Sequence, residues 1–284
     1  MAEPVVVIRP AAGTSPLPLV FDSPHSGLEY PADMKPSLDM DILRRSEDAF
    51  VDALFGHVPV LGAVLVKATF PRCYIDPNRT TEDIETAALA DTWSGPVQTS
   101  VKTARGTGLV WTKIGGVHPI YDRKLYAAEV QTRIDQYWRP YHETLDAEMD
   151  ALHAAFGALW HINCHSMPAR GDETTEDGPV DRADFVLGDR DGTTCEPAFT
   201  ETVRDFLAGR GYDVAVNWPM KGVELVRKHG RPAENRHSLQ IEVNRRLYMD
   251  EAAITKNDRY PETAQTIADM NAAIADFVRA HGNA

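Results

Sequence analysis

Apolar residues follow two rhythms along this chain, and the change from one to the other marks out its elements. Short, dense runs of Val, Leu, Ile and Phe, bounded by Pro, Gly or Asp, read as buried strands. Residues 18–21, 58–67, 159–164, 184–188, 213–217 and 238–244 have this form, and 5–8 reads as an edge strand. Between them lie stretches whose apolar residues recur at helical spacing. Residues 37–54 carry Leu38, Ile42, Leu43, Phe50 and Leu54 in this way. From Arg123 a longer stripe runs through Leu125, Val130, Ile134, Tyr141, Leu145, Leu152 and Phe156; Pro140 should kink it and Gly157 end it. Residues 197–210 and 262–280 are the remaining helices. The segment 80–119 has no sustained period and reads as a long loop. Strands alternating with helices predict an α/β fold layered around a parallel or mixed sheet. With no repeat, low-complexity tract or composition break, residues 1–284 read as one domain.

Two of the strands end in the same way. The first stops at Asp22-Ser23-Pro24-His25-Ser26-Gly27, and the strand from Leu159 runs into Cys164-His165-Ser166-Met167-Pro168. Open α/β sheets bind ligands at the carboxyl ends of their strands. One histidine there is usually a hydrogen-bonded structural residue; two in matching contexts point to a metal. A hydrolytic zinc site takes about three His, Asp or Glu ligands and keeps one position open. His25 and His165 are the first two, each followed by a serine that could orient its ring. Glu47 or Asp48, on the helix expected over 37–54, could be the third. Cys164 reads as a small buried hydrophobe, and His118, His161 and His229 as structural.

Glu242 is a carboxylate inside an apolar strand, between Ile241 and Val243. Burying it without a partner is costly. A salt bridge to Arg245 or Arg246 is the plain explanation; the functional one is a general base beside a metal. Arg72, Asn78 and Arg79 lie close together around Asp76-Pro77 and offer forked donors for a carboxylate or an oxyanion.

The net charge of −13 changes what such a cluster means. It argues against nucleic-acid binding, and an acidic substrate would be drawn in only by a local group of arginines. No apolar run is long enough to span a bilayer, and the N-terminal residues lack the pattern of a secretory signal. Cys73, Cys164 and Cys195, an odd and widely spaced set, fit a reducing cytoplasm better than a disulfide framework.

Taken in order, Ser23-Pro24-His25-Ser26-Gly27, Tyr30-Pro31, Ser46-Glu47-Asp48, Asp76-Pro77-Asn78-Arg79, Cys164-His165-Ser166, Leu187 to Gly192 and Gln240 to Arg245 form a set. The set resembles the N-formylglutamate amidohydrolase (deformylase) family, which is related to zinc carboxypeptidases and to the aspartoacylase and desuccinylase amidohydrolases. The resemblance implies a three-layer α/β sandwich with a central mixed sheet, zinc-carboxypeptidase-like, holding one Zn2+ ion. It implies His25, His165 and an acid of the Glu47-Asp48 pair, with Asp48 preferred, as ligands. Co2+ or Mn2+ would suit the same donors. It further implies Glu242 as general base, Arg72 as the group that polarises the scissile carbonyl, and Asn78 and Arg79 as the grip on the substrate carboxylate. The chain departs from the close-set His-x-x-Glu of those relatives, because its acid follows His25 by more than twenty residues.

The reading is therefore a zinc-dependent amidohydrolase that releases formate from N-formyl-L-glutamate, at the end of histidine breakdown. Its partner would be a small acidic N-acyl amino acid, with neither nucleic acid nor membrane. Another N-acyl amino acid or a formamide is the alternative substrate. A non-catalytic metal- or carboxylate-binding protein is the alternative class, and Glu242 argues against it, since holding a metal needs no spare base.

Overall fold

The computed structural model describes residues 3–282, which pack as two compact units whose segments alternate along the sequence. One takes the chain up to Val6, Pro24–Glu47 and Lys67–Thr144. The other takes Val7–Ser23, Asp48–Val66 and the described residues from Leu145 on. In chain order the strands are β1 (Val5–Ile8), β2 (Leu19–Ser23), β3 (Val64–Ala68), the pair β4 (Lys113–Ile114) and β5 (His118–Pro119), β6 (Leu159–Met167), β7 (Phe185–Gly188), β8 (Val214–Val216), β9 (Arg236–Asn244), and the pair β10 (Met249–Asp250) and β11 (Thr255–Lys256). The helices are α1 (Met40–Leu43), α2 (Val51–Leu54), α3 (Val101–Ala104), α4 (Ala127–Arg133), α5 (Arg139–Phe156), α6 (Pro197–Ala208), α7 (Glu224–His229) and α8 (Tyr260–His281).

Seven strands form the central sheet, in the order β1-β3-β2-β6-β9-β7-β8. β2 and β9 flank β6 in parallel, and β7 runs antiparallel to β9. The sheet is mixed and flanked by helices, as the alternating pattern predicts.

In the second unit, alternation along the strands sorts the side chains to two faces. Phe21, Trp160, Ile162, Cys164, Phe185, Leu187, Leu239, Ile241 and Val243 enter one apolar core, with Phe199 and Val203 of α6 and Ile267, Met270 and Ile274 of α8. Burial of each large side chain contributes about 1.5–3 kcal/mol. The opposite face is buried too, yet polar: Asp22, His161, Asn163, His165, Ser238, Gln240, Glu242 and Asn244. α7 covers part of it, with the His229 ring edge-on to His161 at 5.5 Å. Lys228 of α7 reaches Asp146 of α5 at 2.8 Å. A polar face this dry needs internal partners for every donor.

In the first unit, the segment 80–119 is mostly irregular but well tied. Asp83 accepts from the backbone N–H and the hydroxyl of Ser100, each at 3.0 Å, and from the Thr103 hydroxyl. Ser100 caps the short α3. The Asp76 N–H donates to Leu109 O at 2.7 Å.

Two local expectations need correction. The helix expected over 37–54 is broken into α1, a 3-10 turn Arg44–Ser46, and α2. Ser46 Oγ donates to Leu43 O at 2.7 Å, an alternative to continuing the helix. Glu47 is then extended, and Phe50 takes a left-handed φ of 66°. The strand expected from residue 58 begins only at Val64. Pro59 favours a 3-10 turn over Val58–Leu61, which Gly62 ends at φ 100°. The long helical stripe is divided as expected, by a π-helical turn, Ile134–Trp138, just before Pro140.

Candidate functional site

Each of the two strand-end histidines is held by its Nε2 atom. His25, 1 % exposed, bonds Asp76 Oδ1 through Nε2 at 2.8 Å. An imidazole that donates from Nε2 carries its lone pair on Nδ1. The turn that delivers it is tight: a Cβ on Gly27 would run into Phe70 O and the Thr69 carbonyl carbon. His165, 2 % exposed, bonds Asn163 Oδ1 through Nε2 at 2.6 Å, and its Nδ1 faces Asp48 Oδ2 at 3.0 Å. The expected ring partners were the serines that follow; Asp76 and Asn163 take that part at Nε2. Ser166 instead accepts from Arg245 Nε at 3.2 Å.

The break at residues 47–50 gives the two adjacent acids different surroundings. Glu47 accepts from the Tyr30 hydroxyl at 2.9 Å and from Arg44 Nε at 3.3 Å. Burial, then Cys73 and Glu47, push the Tyr30 phenol far up, so it remains a donor. Asp48 has His165 on one oxygen and Arg245 Nη2 on the other, at 3.1 Å. His25 in the first unit and Asp48 and His165 in the second are all buried, and within the second unit Asp48 and His165 are paired at 3.0 Å. Two imidazoles with fixed Nε2 bonds and one carboxylate are a donor set that fits a divalent cation of the zinc type.

Asp76 is the centre of the arginine cluster. Its Oδ2 accepts from Arg72 Nη2 at 2.9 Å, from Arg72 Nε at 3.2 Å and from Trp111 Nε1 at 3.2 Å. Its Oδ1 accepts from the Asn78 N–H at 2.8 Å. Burial alone would push this carboxyl up, but Arg72, His25 and Arg79 hold it well below the usual carboxylate range. The Arg72 guanidinium lies over the Trp111 ring, 4.8 Å from its centroid. Arg79 donates to Thr107 O at 3.1 Å and to Asn78 O at 2.8 Å. The structure thus brings Arg72, Asn78 and Arg79 together around one buried carboxylate.

Glu242, 8 % exposed, lies directly beside His165 in the β6–β9 register. Gln240 Nε2 donates to its Oε1 at 3.0 Å. The two arginines considered as its structural partners have other bonds: Arg245 to Asp48 and Ser166, Arg246 to Asp184 at 2.8 Å. Cys164 is fully buried in the apolar core, on the face opposite His165. His161 is bonded to Ser238 Oγ and Asp22 Oδ1, each at 2.8 Å. Asp76, Asn163, Gln240 and Asp22 are site components that motif reading passed over. The polar alternation 161/163/165 and 238/240/242 is the signal that marks two of these four, Asn163 and Gln240.

Comparisons with known proteins place the chain in a family. The family model for N-formylglutamate amidohydrolase matches residues 17–249. An N-formylglutamate deformylase of Pseudomonas putida is 29% identical over 239 residues, 83% of each chain. One from Pseudomonas aeruginosa is 28% identical over 84% of each. The crystal structure of an N-formylglutamate amidohydrolase from Ralstonia eutropha JMP134 superposes with a TM-score of 0.93 at 46% identity, covering 99% of this chain and all (100%) of that one. The Agrobacterium tumefaciens gene product Atu2144 shares the fold at 17% identity, with a TM-score of 0.66 over 97% and 96% of the two chains. The matched span carries both histidines, both adjacent acids, the arginine cluster and Glu242, and the chain belongs to the N-formylglutamate amidohydrolase family.

Proposed function

We propose that this chain is a zinc-dependent amidohydrolase that cleaves the formyl amide of N-formyl-L-glutamate to formate and L-glutamate. The observation that carries the reading is the buried pair of His165 Nδ1 and Asp48 Oδ2 at 3.0 Å, with Glu242 the in-register neighbour of His165. The names of the Pseudomonas and Ralstonia relatives support the substrate. The family match spans segments of both compact units, which supports one catalytic domain. Among the described residues no helix is long and apolar enough to cross a membrane. The three cysteines are free and buried, in keeping with a reducing cytoplasm.

In this mechanism His25, Asp48 and His165 hold the ion, which supplies a Lewis acid for the carbonyl and makes water acidic enough to attack at neutral pH. Glu242 accepts the proton of the attacking water and delivers it to the departing nitrogen. A carbon–oxygen bond forms and the formyl carbon–nitrogen bond breaks. Arg72 donates to the oxygen on which negative charge develops. Asn78 and Arg79 hold the substrate carboxylate, the local cation that a chain of net charge −13 needs for an acidic ligand.

Formate release from N-formyl-L-glutamate, before chelation, after chelation and after return of Zn2+, Co2+ or Mn2+, tests the reading. Loss on chelation and recovery with zinc is the expected result. A zinc-loaded protein inactive on this substrate but active on another N-acyl amino acid would reassign the substrate. Activity indifferent to chelation would overturn the metal site.

A further inference from the structure

We propose that Asp22 and Asn163 are positioning residues that decide which nitrogen of His165 is offered to the metal, through a buried chain running Ser238, His161, Asp22, Asn163, His165. This rests on the metal reading of His165 given above.

The chain follows from strand register. Asp22 and Asn163 are partners across β2 and β6, and His161 and Ser238 are partners across β6 and β9. Alternation puts His161, Asn163 and His165 on the same face. All five are buried: Asp22, His161, Asn163 and Ser238 at 0 % exposure and His165 at 2 %. Asp22 Oδ1 lies 2.8 Å from His161 Nε2 and 2.7 Å from Asn163 Nδ2. Ser238 Oγ lies 2.8 Å from His161 Nδ1, which fixes that ring from its other side.

The direction of the chain is set by chemistry. A carboxylate only accepts, so Asp22 demands the amide N–H of Asn163 and turns the amide oxygen the other way. That oxygen meets His165 Nε2 at 2.6 Å. An acceptor at that distance requires Nε2–H, which leaves Nδ1, the atom 3.0 Å from Asp48 Oδ2, as the nitrogen that can be offered to a metal. Were the amide reversed, two acceptors would meet at Asp22, and His165 Nε2 would face an N–H and have to supply the lone pair itself. Asp22 therefore determines, two bonds away, which nitrogen of His165 bears the lone pair. This gives a role to the aspartate that opens the Asp22-Ser23-Pro24-His25 stretch, and to a polar row that an apolar one would otherwise replace at lower desolvation cost.

Two variants and two readouts test it. Asn163→Leu removes the acceptor and nearly keeps the volume; Asp22→Asn keeps the shape and removes the directional demand, so the Asn163 amide can turn over. Nitrogen-15 NMR of histidine-labelled apo protein, with Asp48→Asn in every sample so that no second carboxylate faces Nδ1, reads the tautomer of neutral His165. Competition with a chromogenic chelator reads zinc affinity. Wild type should show a single Nε2–H form of His165, and both variants a mixture with the Nδ1–H form. Zinc should bind Asn163→Leu about 10- to 100-fold more weakly, with Asp22→Asn in between. Should Asn163→Leu fail to fold, the isosteric Asp22→Asn carries the test alone. A single Nε2–H tautomer and wild-type zinc affinity in the folded variants would overturn the proposal. A wild type that binds no zinc would instead remove the metal reading, while the tautomer measurement still decides the positioning.

Discussion

His165 on β6 and Glu242 on β9 are partners in register across neighbouring parallel strands, so their side chains rise from the same face about 4.8 Å apart at the backbone. A ligand candidate and a base candidate are thus spaced by the sheet ladder itself, the most rigid part of the fold. Sites built on such elements hold their geometry more closely than sites on loops.

If Glu242 is the proton carrier, Glu242→Gln should lower turnover by about 10²- to 10⁴-fold and leave the zinc content unchanged. Gln240, whose amide bonds Glu242 at 3.0 Å, should show a smaller loss in the same direction when replaced by Leu. Steady-state rates with metal analysis on the same samples check both. Full activity in Glu242→Gln would end the proposed mechanism.

The two neighbouring acids should separate cleanly. Glu47→Gln disturbs the bonds to Tyr30 and Arg44 and should retain one zinc per chain after gel filtration. Asp48→Asn removes a carboxylate charge beside His165 and Arg245 and should come through the column without zinc. The reverse pattern would make Glu47 the third ligand.

Much of the sheet was legible in the sequence because dense β-branched runs ending in Pro and Gly have few other readings. β2, β6, β7 and β9 fall where the apolar runs predict them. The acids at 47 and 48 were less legible. Their neighbours keep helical spacing, which does not mark the 3-10 turn, the extended Glu47 and the left-handed Phe50 that break the helix there. Asp22, Asn163 and Gln240 went unassigned for another reason. They stand in strands whose apolar alternates dominate the pattern, and their value appears only when register sets β2, β6 and β9 side by side. The Asp76 hub is invisible along the chain, because His25 and Trp111 reach it from far away in sequence.

The cysteines give a prediction with a definite sign. Burial pushes the Cys73 thiol up to about 11 and raises Cys164 and Cys195 as well. A raised pKa means less thiolate: at pH 8, three units below 11, about one Cys73 in a thousand is ionised even before access is considered. Native protein should therefore show almost no reaction with a thiol-disulfide reagent at pH 8, and protein unfolded in guanidinium should titrate all three cysteines. Rapid labelling of one native thiol would show that its surroundings open in solution.

The two arginines beside Asp76 differ in their surroundings. Arg72 is the closer to Asp76, with two bonds to one oxygen, and its side chain retains 15% exposure. Arg79 is more enclosed, bonded to the carbonyls of Asn78 and Thr107. If Arg72 meets charge that develops only in the transition state, Arg72→Lys should lower kcat with little change in KM, because a lysine replaces the fork by a single donor point. If Arg79 grips a carboxylate present in substrate and transition state alike, Arg79→Lys should raise KM for N-formyl-L-glutamate and leave kcat nearly unchanged. A substrate without the side-chain carboxylate sharpens the comparison. Arg79→Lys should matter much less for it if the grip is on that group, and equally if the grip is on the α-carboxylate. An unchanged KM for both substrates would remove Arg79 from substrate binding and leave it as a partner of Asp76 and Asp83.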